Sequence, residues 1–383
     1  DTDRSRGLGD VYKRQFSSRL GFVLATAGSA VGLGNIWRFP YLAAKYGGGT
    51  FLLTYLILTL TFGFSLMITE VALGRKAGTS AIRAFGHFSK KHTFIGYLTT
   101  IIPFIIFPYY CVIGGWVTKY ALVSLQGGIH NAASDTFFTG FISKSAEPMI
   151  CVLVFLIATT VVVAGGVKGG VERVSTIMMP VLIVLLIGVS LFCITRPGAM
   201  AGVAYYLKPS LKGFGPTTIL AALGQLFYSM SLAMGIMITF GSYMPKKADL
   251  EKSVTQVEIF DTGVAFLAGL MIVPAVFIFS NGDSSMLAKG PSLMFVMLPK
   301  VFNSMAFSSI IAAVFFILVL LAALTSSISL LETLVAVLMD KFHMKRGTAC
   351  ITMFIIALLL AVPSSLGFGA VSYTHLRAHE TDQ

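Results

Sequence analysis

The stretch at 19–40, RLGFVLATAGSAVGLGNIWRFP, is apolar and long enough to cross a bilayer, yet it is interrupted. The interruptions are glycines followed by two polar residues where a plain membrane anchor would have leucine: Gly28, Gly32, Gly34, Asn35 and Arg38. A helix that breaks inside a membrane exposes backbone groups, which are costly there unless something binds them. We therefore expect this segment to bind an ion or a small solute near the middle of the membrane.

A second interrupted stretch lies at 217–244 and carries polar and small residues in the middle of an apolar run: Gln225, Ser229, Ser231 and Gly235. A bare Na⁺ needs a shell of hard oxygen ligands, as other hard cations do. Carbonyls of an unwound helix, together with Ser, Thr, Asn and Asp side chains, supply that shell. Paired interrupted spans of this kind are the best sequence indication of a transporter binding site.

The rest of the chain supplies the helices that would hold these two segments. Of its 383 residues, 56% are hydrophobic and 11% are charged, whereas soluble domains have about 25% charged residues. Because about 20 apolar residues cross a bilayer, the pattern predicts an all-α polytopic membrane protein. The spans lie near 19–45, 51–75, 94–125, 148–166, 174–195, 217–244, 257–281, 307–340 and 347–368.

The net charge of +12 could indicate a nucleic-acid partner. Membrane proteins, however, keep Lys and Arg in their cytoplasmic loops, and here the loops on the N-terminal side hold more of them than the opposite loops. We therefore predict a multi-pass protein of the inner (cell) membrane with a cytoplasmic N-terminus, a lipid bilayer around it and no nucleic-acid partner.

Two other classes of membrane protein are disfavoured. An intramembrane hydrolase would need a nucleophile with a His or paired-Asp base inside the membrane, and the histidines lie in loops, near span ends or in the tail. A channel would show a carbonyl filter such as TVGYG or a repeated charged ring, and the sequence has neither. The chain is therefore predicted not to be an enzyme.

The two ends differ in composition from the rest. Residues 1–15 and 371–383 are polar and meet apolar sequence abruptly, and both resemble non-native adaptor-like segments. We expect a transmembrane transporter domain at 16–370 and a native chain that continued further, which makes this a C-terminally truncated fragment.

Five places, in order along the chain, resemble the neurotransmitter:sodium symporter family. They are AGSAVGLGNIWRFPY within the first span, KYGGGTF at 45–51, EVALGR at 70–75, GQLFYSMS at 224–231 and AALTSSIS at 322–329. The resemblance implies a bacterial, LeuT-like amino-acid transporter. Its fold would be a five-plus-five inverted repeat with broken helices 1 and 6, here incomplete, with about nine transmembrane helices.

The resemblance also implies two sodium sites. The first would use the carbonyl of Ala30 with the side chains of Asn35, Ser229 and Asp261. The second would use the carbonyls of Gly28, Val31 and Ala322 and the hydroxyls of Thr325 and Ser326. An acidic residue at 261 could replace the chloride that animal relatives need, which predicts chloride independence. The alternatives are that Asp261 caps its helix and that the hydroxyls bond back to the preceding turn.

The organic substrate is expected between the two breaks. By the resemblance, its carboxylate would meet the backbone of Ala30 and Gly34 and the hydroxyl of Tyr110. Its side chain would meet Tyr228, Ser231, Met234, Ser326 and Leu330. No acidic residue stands in the first helix where amine-transporting relatives have one, which favours a neutral, hydrophobic or aromatic L-amino acid. Ala233 stands where several relatives have glycine, which predicts a stiffer second break.

Gates follow from the remaining charges. Arg38, with Gln225 as its expected neighbour, would form part of the outer gate; by the resemblance, this arginine pairs with an Asp on a tenth span. Asp340 resembles the inner-gate acid, whose partner would be a basic residue before the first helix, such as Lys13. Glu70 and Glu332 would either brace the broken helices or line the inner path. The predicted function is a sodium-coupled symporter that imports the amino acid by alternating access. The alternative is a transport-inactive fragment or a solute-sensing relative.

Overall fold

The computed structural model describes residues 15–210, 214–280, 292–305 and 307–367, and in these ranges every regular element is a helix. The helices of the bundle, in chain order, are α1 (Arg19–Ala30), α2 (Gly34–Lys45), α3 (Gly49–Ala77), α4 (Lys90–Leu125), α5 (Ala146–Ala164), α6 (Val167–Ile194), α7 (Pro216–Ser229), α8 (Ile236–Tyr243), α9 (Leu250–Phe279), α10 (Ser308–Phe342) and α11 (Arg346–Leu366). Shorter helices lie between them: Ala81–Phe88, Ile129–Ala132, Phe137–Ile142, Ala199–Leu207 and Leu293–Asn303.

Most of the predicted spans are single long helices. Seven of the helices are long and apolar enough to cross a membrane, and α1 with α2 forms an eighth span that bends by 51°. The remaining predicted span, 217–244, consists of α7 and α8, which are 14 and 8 residues long and separated at 230–235. Neither helix is long enough to cross a bilayer alone. The predicted span therefore consists of both helices together with the non-helical residues between them. The segments 1–14 and 368–383, which contain most of the predicted adaptor-like ends, lie outside the described residues.

The first break follows from local backbone geometry. α1 begins at Arg19, directly after its N-cap Ser18, whose side chain accepts the N–H of Gly21. It ends at Ala30 because Val31 is extended, with φ −75° and ψ 100°. The chain becomes helical again at Gly34, first with the wider turns of a π-helix. The residues in between leave the regular helical hydrogen-bond ladder, and their polar groups are available to ligands and side chains.

The second break is made by left-handed residues. Ser231, Ala233 and Gly235 have φ values of 54°, 60° and 72°. Such values suit glycine but are strained for residues with a Cβ atom. α8 then begins at Ile236.

Close packing holds α8 against α3. A Cβ atom on Gly74 would lie 1.8 Å from the carbonyl oxygen of Ile238, and one on Gly241 would lie 2.4 Å from that of Val71. Only glycine fits at these two positions, so the backbones of α3 and α8 approach each other directly. This contact holds the second half of the second broken span in place.

The centre of the bundle surrounds the first break. α1 packs against α6, α9 and α10, and its residues from Gly21 to Ala30 are all buried. Large apolar side chains elsewhere face outward, for example Ile105, Val161 and Leu359, each at least 65% exposed. This distribution suits a bundle surrounded by lipid, with its polar groups inside.

Candidate functional site

The two breaks meet each other inside the bundle. The hydroxyl of Ser231 lies 3.3 Å from the carbonyl oxygen of Ser29, and the two serine hydroxyls are 3.5 Å apart. The side-chain amide of Gln225 donates to the carbonyl oxygen of Gly34 at 2.9 Å. Side chains of the second interrupted span therefore satisfy backbone carbonyls of the first, and the two breaks together enclose one site.

A carboxylate joins the first break to α9. Oδ1 of Asp261 accepts hydrogen bonds from Nδ2 of Asn35 at 2.7 Å and from Oγ of Ser229 at 2.8 Å. Oδ2 accepts from the hydroxyl of Tyr55 at 3.2 Å. All these groups are buried. A carboxylate and two hydroxyl oxygens therefore converge where a hard cation would find ligands, and the Asn35 amide presents its nitrogen to the carboxylate.

The rest of the first predicted ion site lies beside this carboxylate. Oδ1 of Asn35 accepts the N–H of Gly32 at 3.1 Å, which orients the amide group. Ala30 and Ser229 both line the cavity between the two breaks, which is described below. Tyr55 was not among the predicted ligands, because nothing in its apolar surroundings in the sequence points to Asp261.

Helix capping does not account for Asp261. α9 begins at Leu250, and Asp249 is its N-cap, with a side chain that accepts the N–H of Lys252. Asp261 therefore lies inside the helix, whereas the predicted span began at 257. The capping alternative is wrong because Asp249, not Asp261, caps the N-terminus of α9.

The second predicted ion site lies on the other side of the first break. Oγ of Ser326 is 3.1 Å from the carbonyl oxygen of Ser29, 3.3 Å from that of Val31 and 3.5 Å from that of Gly28. Oγ1 of Thr325 is 3.5 Å from the carbonyl oxygen of Val31. The carbonyls of the break therefore point toward two hydroxyls of α10.

The hydroxyls of α10 differ in their partners. Thr325 also approaches the carbonyls of Leu321 and Ala322, both at 3.1 Å, so bonding to the preceding turn coexists with contact to the break. The hydroxyl of Ser327 instead lies 3.0 Å from that of Thr159 on α5. Hydroxyls that are adjacent in the sequence thus contact different helices. Of these three, only the hydroxyls of Thr325 and Ser326 face the first break.

A cavity lies between the two breaks, and every predicted substrate residue lines it. These residues are Ala30, Gly34, Tyr110, Tyr228, Ser231, Met234, Ser326 and Leu330, and the prediction missed Ser29, Gly32, Leu33, Ile106 and Ile236, which line it as well. Ile106 lies one helical turn before Tyr110, so helical spacing could have found it.

The polar end of the cavity is formed by the first break and Tyr110. The N–H of Leu33 donates to the hydroxyl of Tyr110 at 3.4 Å. A Cβ atom on Gly32 would lie 2.4 Å from Oγ of Ser326 and 3.1 Å from the Tyr110 hydroxyl. Gly32 therefore lets the backbone approach both side chains, and an anionic group placed there would meet hydroxyl and N–H donors.

Comparison with known proteins now identifies the architecture. The sequence profile of the Sodium:neurotransmitter symporter family matches residues 13–141 and 136–377. The chain belongs to this family. This symporter is therefore a sodium-coupled, multi-pass membrane transporter and not an enzyme.

Individual relatives of the symporter agree. The sodium-dependent transporter YhdH of Bacillus subtilis is 36% identical over 367 residues, which are 94% of this chain and 80% of YhdH. A sodium-dependent transporter of Haemophilus influenzae is 35% identical, over 93% of this chain and 80% of its own length. The crystal structure of MhsT in complex with L-phenylalanine has a TM-score of 0.86 and 40% identity, and covers 95% of this chain and 83% of MhsT. The predicted all-α, LeuT-like fold is confirmed.

Arg38 lies close to the symporter's cavity and contacts α7. Its guanidinium donates to Oε1 of Gln225 at 2.9 Å and to the carbonyl oxygen of Gly224 at 3.3 Å. It also lies 5.3 Å from the centre of the ring of Tyr228, which lines the cavity. The predicted neighbours Arg38 and Gln225 are thus in contact.

At the opposite end, Oδ2 of Asp340 accepts the N–H of Ser80 at 2.7 Å. Ser80 is the residue before the helix Ala81–Phe88, so Asp340 ties the end of α10 to the loop after α3. The suggested basic partner, Lys13, lies outside the described residues.

Two glutamates within predicted spans, Glu70 and Glu332, contact the second broken span. Oε1 of Glu70 accepts the N–H of Ala233 at 2.7 Å, inside the second break. Glu332 is completely buried and accepts the hydroxyl of Tyr243 at 2.9 Å. It also forms an ion pair with Arg346 at the start of α11. Of the two roles left open by the sequence, these contacts favour bracing.

Proposed function

We propose that this symporter imports a neutral, hydrophobic or aromatic L-amino acid together with two sodium ions, by alternating access and without chloride. The observation that carries the proposal is the cavity between the two breaks, which has a polar end and an apolar end. The polar end combines backbone N–H groups with the Tyr110 hydroxyl. The apolar end is formed by Ile106, Met234 and Leu330.

The substrate class follows from the chemistry of the cavity wall. None of the residues that line the cavity carries a charge, so a charged side chain would lose its hydration without gaining a partner, which is costly. A zwitterionic amino acid could place its carboxylate at the broken helix and its side chain among apolar groups. Methionine adapts to bulky neighbours, which suits Met234 to an aromatic or branched substrate. The complex of MhsT with L-phenylalanine supports the same class.

Two sodium ions supply enough free energy for strong accumulation. Each Na⁺ that moves inward through about 100 mV yields about 2.3 kcal/mol, and a tenfold gradient adds about 1.4 kcal/mol. Two ions give about 7 kcal/mol, which corresponds to about 10⁵-fold accumulation of a net neutral substrate. One ion would give only the square root of that accumulation ratio. A second sodium site therefore greatly increases the accumulation that the symporter can reach.

The proposed ligands are the two oxygen groups described above. The first ion would be held by Ala30, Asn35, Ser229 and Asp261, and the second by Gly28, Val31, Ala322, Thr325 and Ser326. In both groups the residues of the first break face side chains of other helices. Sodium would therefore hold the first break in the conformation that binds substrate. Sodium binding and substrate binding would be coupled for this reason.

Chloride independence rests on Asp261. A buried carboxylate that contacts Tyr55 and Ser229 already supplies a fixed negative charge beside the first ion. A second anion there would meet like-charge repulsion in a region of low dielectric constant. The sodium charge is thus balanced by the protein itself.

The proposed arrangement in the cell places residues 16–370 as the transporter domain in the inner membrane, with the N-terminus in the cytoplasm. The positive-inside distribution of Lys and Arg supports this orientation. Arg38 with Gln225 would act as the outer gate and Asp340 as part of the inner gate.

The function can be tested with the purified chain in proteoliposomes. Uptake of labelled L-phenylalanine, L-leucine, L-glutamate and γ-aminobutyrate is measured with an inward sodium gradient, and again with potassium in place of sodium. We expect sodium-dependent uptake of the first two, unchanged when gluconate replaces chloride. Sodium-dependent equilibrium binding of the same compounds, measured in parallel, separates recognition from transport. Preferred binding of glutamate or γ-aminobutyrate would contradict the proposed substrate class.

A further inference from the structure

A second large cavity lies far from the substrate site, between the loop after α5 and the loop before α11. It has a volume of about 620 Å³ and is open to the surface, and its walls come from 164–169 and from 339 and 343–346. It is situated where one span ends, at Ala164, and another begins, at Arg346. Counting the spans along the chain puts this cavity at the same end of the bundle as Arg19, the start of α1.

The charges that line this cavity are basic. Lys168 reaches it from the α5 side, and His343, Lys345 and Arg346 reach it from the α11 side. Neither Lys168 nor Lys345 forms an ion pair within the described residues, and both are exposed. Of the acids along α10, Glu332 pairs with Arg346, which lines the cavity, and Asp340 accepts the Ser80 N–H. Lys168 and Lys345 therefore face the cavity without an acidic partner among the described residues.

The start of α11 adds to this positive potential. No acidic residue stands in the first turn of α11, and Lys345, its N-cap, makes no capping hydrogen bond. A helix N-terminus carries a partial positive charge, so cations there are unfavourable unless an anion is bound nearby. An anion that accepts several hydrogen bonds, such as a phosphate, would stabilise the N-terminus of α11.

The surroundings of the cavity favour a lipid as the source of that phosphate. Because the cavity lies at the ends of two spans, it sits at the level of lipid headgroups rather than of the hydrocarbon. Immediately along the same two helices, Val161 on α5 and Ile351 on α11 are 65% and 61% exposed. α5 and α11 pack against each other, so acyl chains could lie along the apolar seam while the headgroup enters the cavity.

We propose that the basic cavity formed by Lys168, Lys345 and the N-terminus of α11 binds the phosphate headgroup of an anionic phospholipid. Basic pockets between spans on the cytoplasmic side of membrane proteins suit such headgroups. Arg346 forms part of the cavity wall and also the ion pair with Glu332, which accepts the hydroxyl of Tyr243 on α8. The bound lipid would therefore touch the network that braces the second broken span.

The test uses the full chain in a neutral detergent and a short-chain lipid, dihexanoylphosphatidylglycerol, titrated while the thermal midpoint of unfolding is followed. Parallel titrations use dihexanoylphosphatidylcholine and inorganic phosphate. The variant combines Lys168→Gln with Lys345→Gln, both exposed side chains. The matched control combines Lys90→Gln with Lys91→Gln, which remove the same charge from an exposed turn at the same end of the bundle.

We expect phosphatidylglycerol to raise the midpoint of the wild-type chain and of the control, with an apparent affinity about thirtyfold weaker in the cavity variant, about fivefold per lysine. Equal affinity in the cavity variant and the wild type would overturn the proposal. Equal protection by phosphatidylcholine would overturn it too, because the phosphate charge would then be irrelevant. Equally tight binding of inorganic phosphate would assign the cavity to a free anion and refute the lipid. The midpoint without lipid shows whether each variant folds.

Discussion

Nδ2 of Asn35 donates to Oδ1 of Asp261 at 2.7 Å, and both side chains are completely buried. This hydrogen bond links the first broken span to α9, a helix that runs without interruption from Leu250 to Phe279. A buried carboxylate of this kind is costly unless it is paired or bound to a cation. The contacts of Asp261 are polar but uncharged, so a sodium ion would supply the missing positive charge.

Asp261→Asn is expected to weaken sodium dependence at the first site. The substitution removes the negative charge but keeps the size and one oxygen. A lost charge-assisted contact of about 1.5–3 kcal/mol corresponds to about 10- to 100-fold weaker apparent sodium affinity. Because the fixed anion is gone, chloride should now stimulate sodium-dependent binding of L-phenylalanine, measured against gluconate.

Glu251→Gln is the control for this substitution. Glu251 is an exposed carboxylate in the first turn of α9, on the same helix but distant from Asp261. It should leave sodium affinity and chloride insensitivity close to those of the wild type. If Asp261→Asn stayed insensitive to chloride while binding substrate normally, the assignment of Asp261 as an anion substitute would be rejected.

Thr325→Ala should weaken the second sodium site, whereas Ser327→Ala should not. Thr325 faces the carbonyl of Val31, but Ser327 faces Thr159. The contact of one ligand hydroxyl with sodium contributes about 1–1.5 kcal/mol. Without it, we expect the sodium concentration for half-maximal binding to rise about five- to tenfold. The measurement is sodium-dependent thermal stabilisation, which needs no transport. Equal effects of the two substitutions would mean that the hydroxyls act through helix packing.

Tyr110→Phe should lower substrate affinity by about 10- to 100-fold, because it deletes a hydrogen bond to the substrate carboxylate worth about 1.5–3 kcal/mol. Tyr109→Phe is the control, since Tyr109 lines the outer cavity beside Arg38 and not the substrate cavity. Affinity is measured by displacement of labelled L-phenylalanine at saturating sodium. An amino-acid amide, which lacks the carboxylate, should bind Tyr110→Phe and wild type equally.

Much of the site could be predicted because its residues carry unusual chemistry in an apolar sequence. Asn35, Ser229 and Thr325 each stand in runs where a simple span would have leucine. Two interruptions at corresponding positions indicated that they would meet, and the contact of Ser231 with Ser29 is the result. The resemblance then selected the partners among the available hydroxyls.

The remaining features depend on long-range pairings that a single sequence does not encode locally. Tyr55 reads as one more aromatic residue of an apolar span, and its contact with Asp261 arises only when α3 packs on α9. The roles of Glu70 and Glu332 were undecided for the same reason, since their partners lie 163 and 89 residues away. The start of α9 was placed too late because its first two turns are polar.

Ala233→Gly is expected to stabilise the chain by about 1 kcal/mol, because alanine is strained at a φ of 60° whereas glycine is not. The opposite substitution, Gly235→Ala, should destabilise it. At Gly235 φ is 72° and a Cβ atom would lie 2.7 Å from Cβ of Ala81. The thermal midpoint of unfolding distinguishes these effects. A looser second break should also widen the range of amino acids that compete with L-phenylalanine, and an unchanged range would show that Ala233 does not restrict it.

Glu332→Gln tests whether the buried ion pair braces the inner half of the second broken span. Removing the carboxylate leaves Arg346 charged and only partly compensated, which costs about 3–5 kcal/mol for a buried pair. The exposed pair of Lys300 with Asp135, which is 79% exposed, provides the contrast, since Lys300→Gln should cost less than about 1 kcal/mol. Stability is measured by denaturant titration in detergent.

The double variant Glu332→Gln with Arg346→Gln should lose less free energy of unfolding than the sum of the two single substitutions, because each substitution removes the unpaired charge that the other would leave. Additive costs would show that the two side chains stabilise the bundle separately, Arg346 through its hydrogen bond to the Val163 carbonyl.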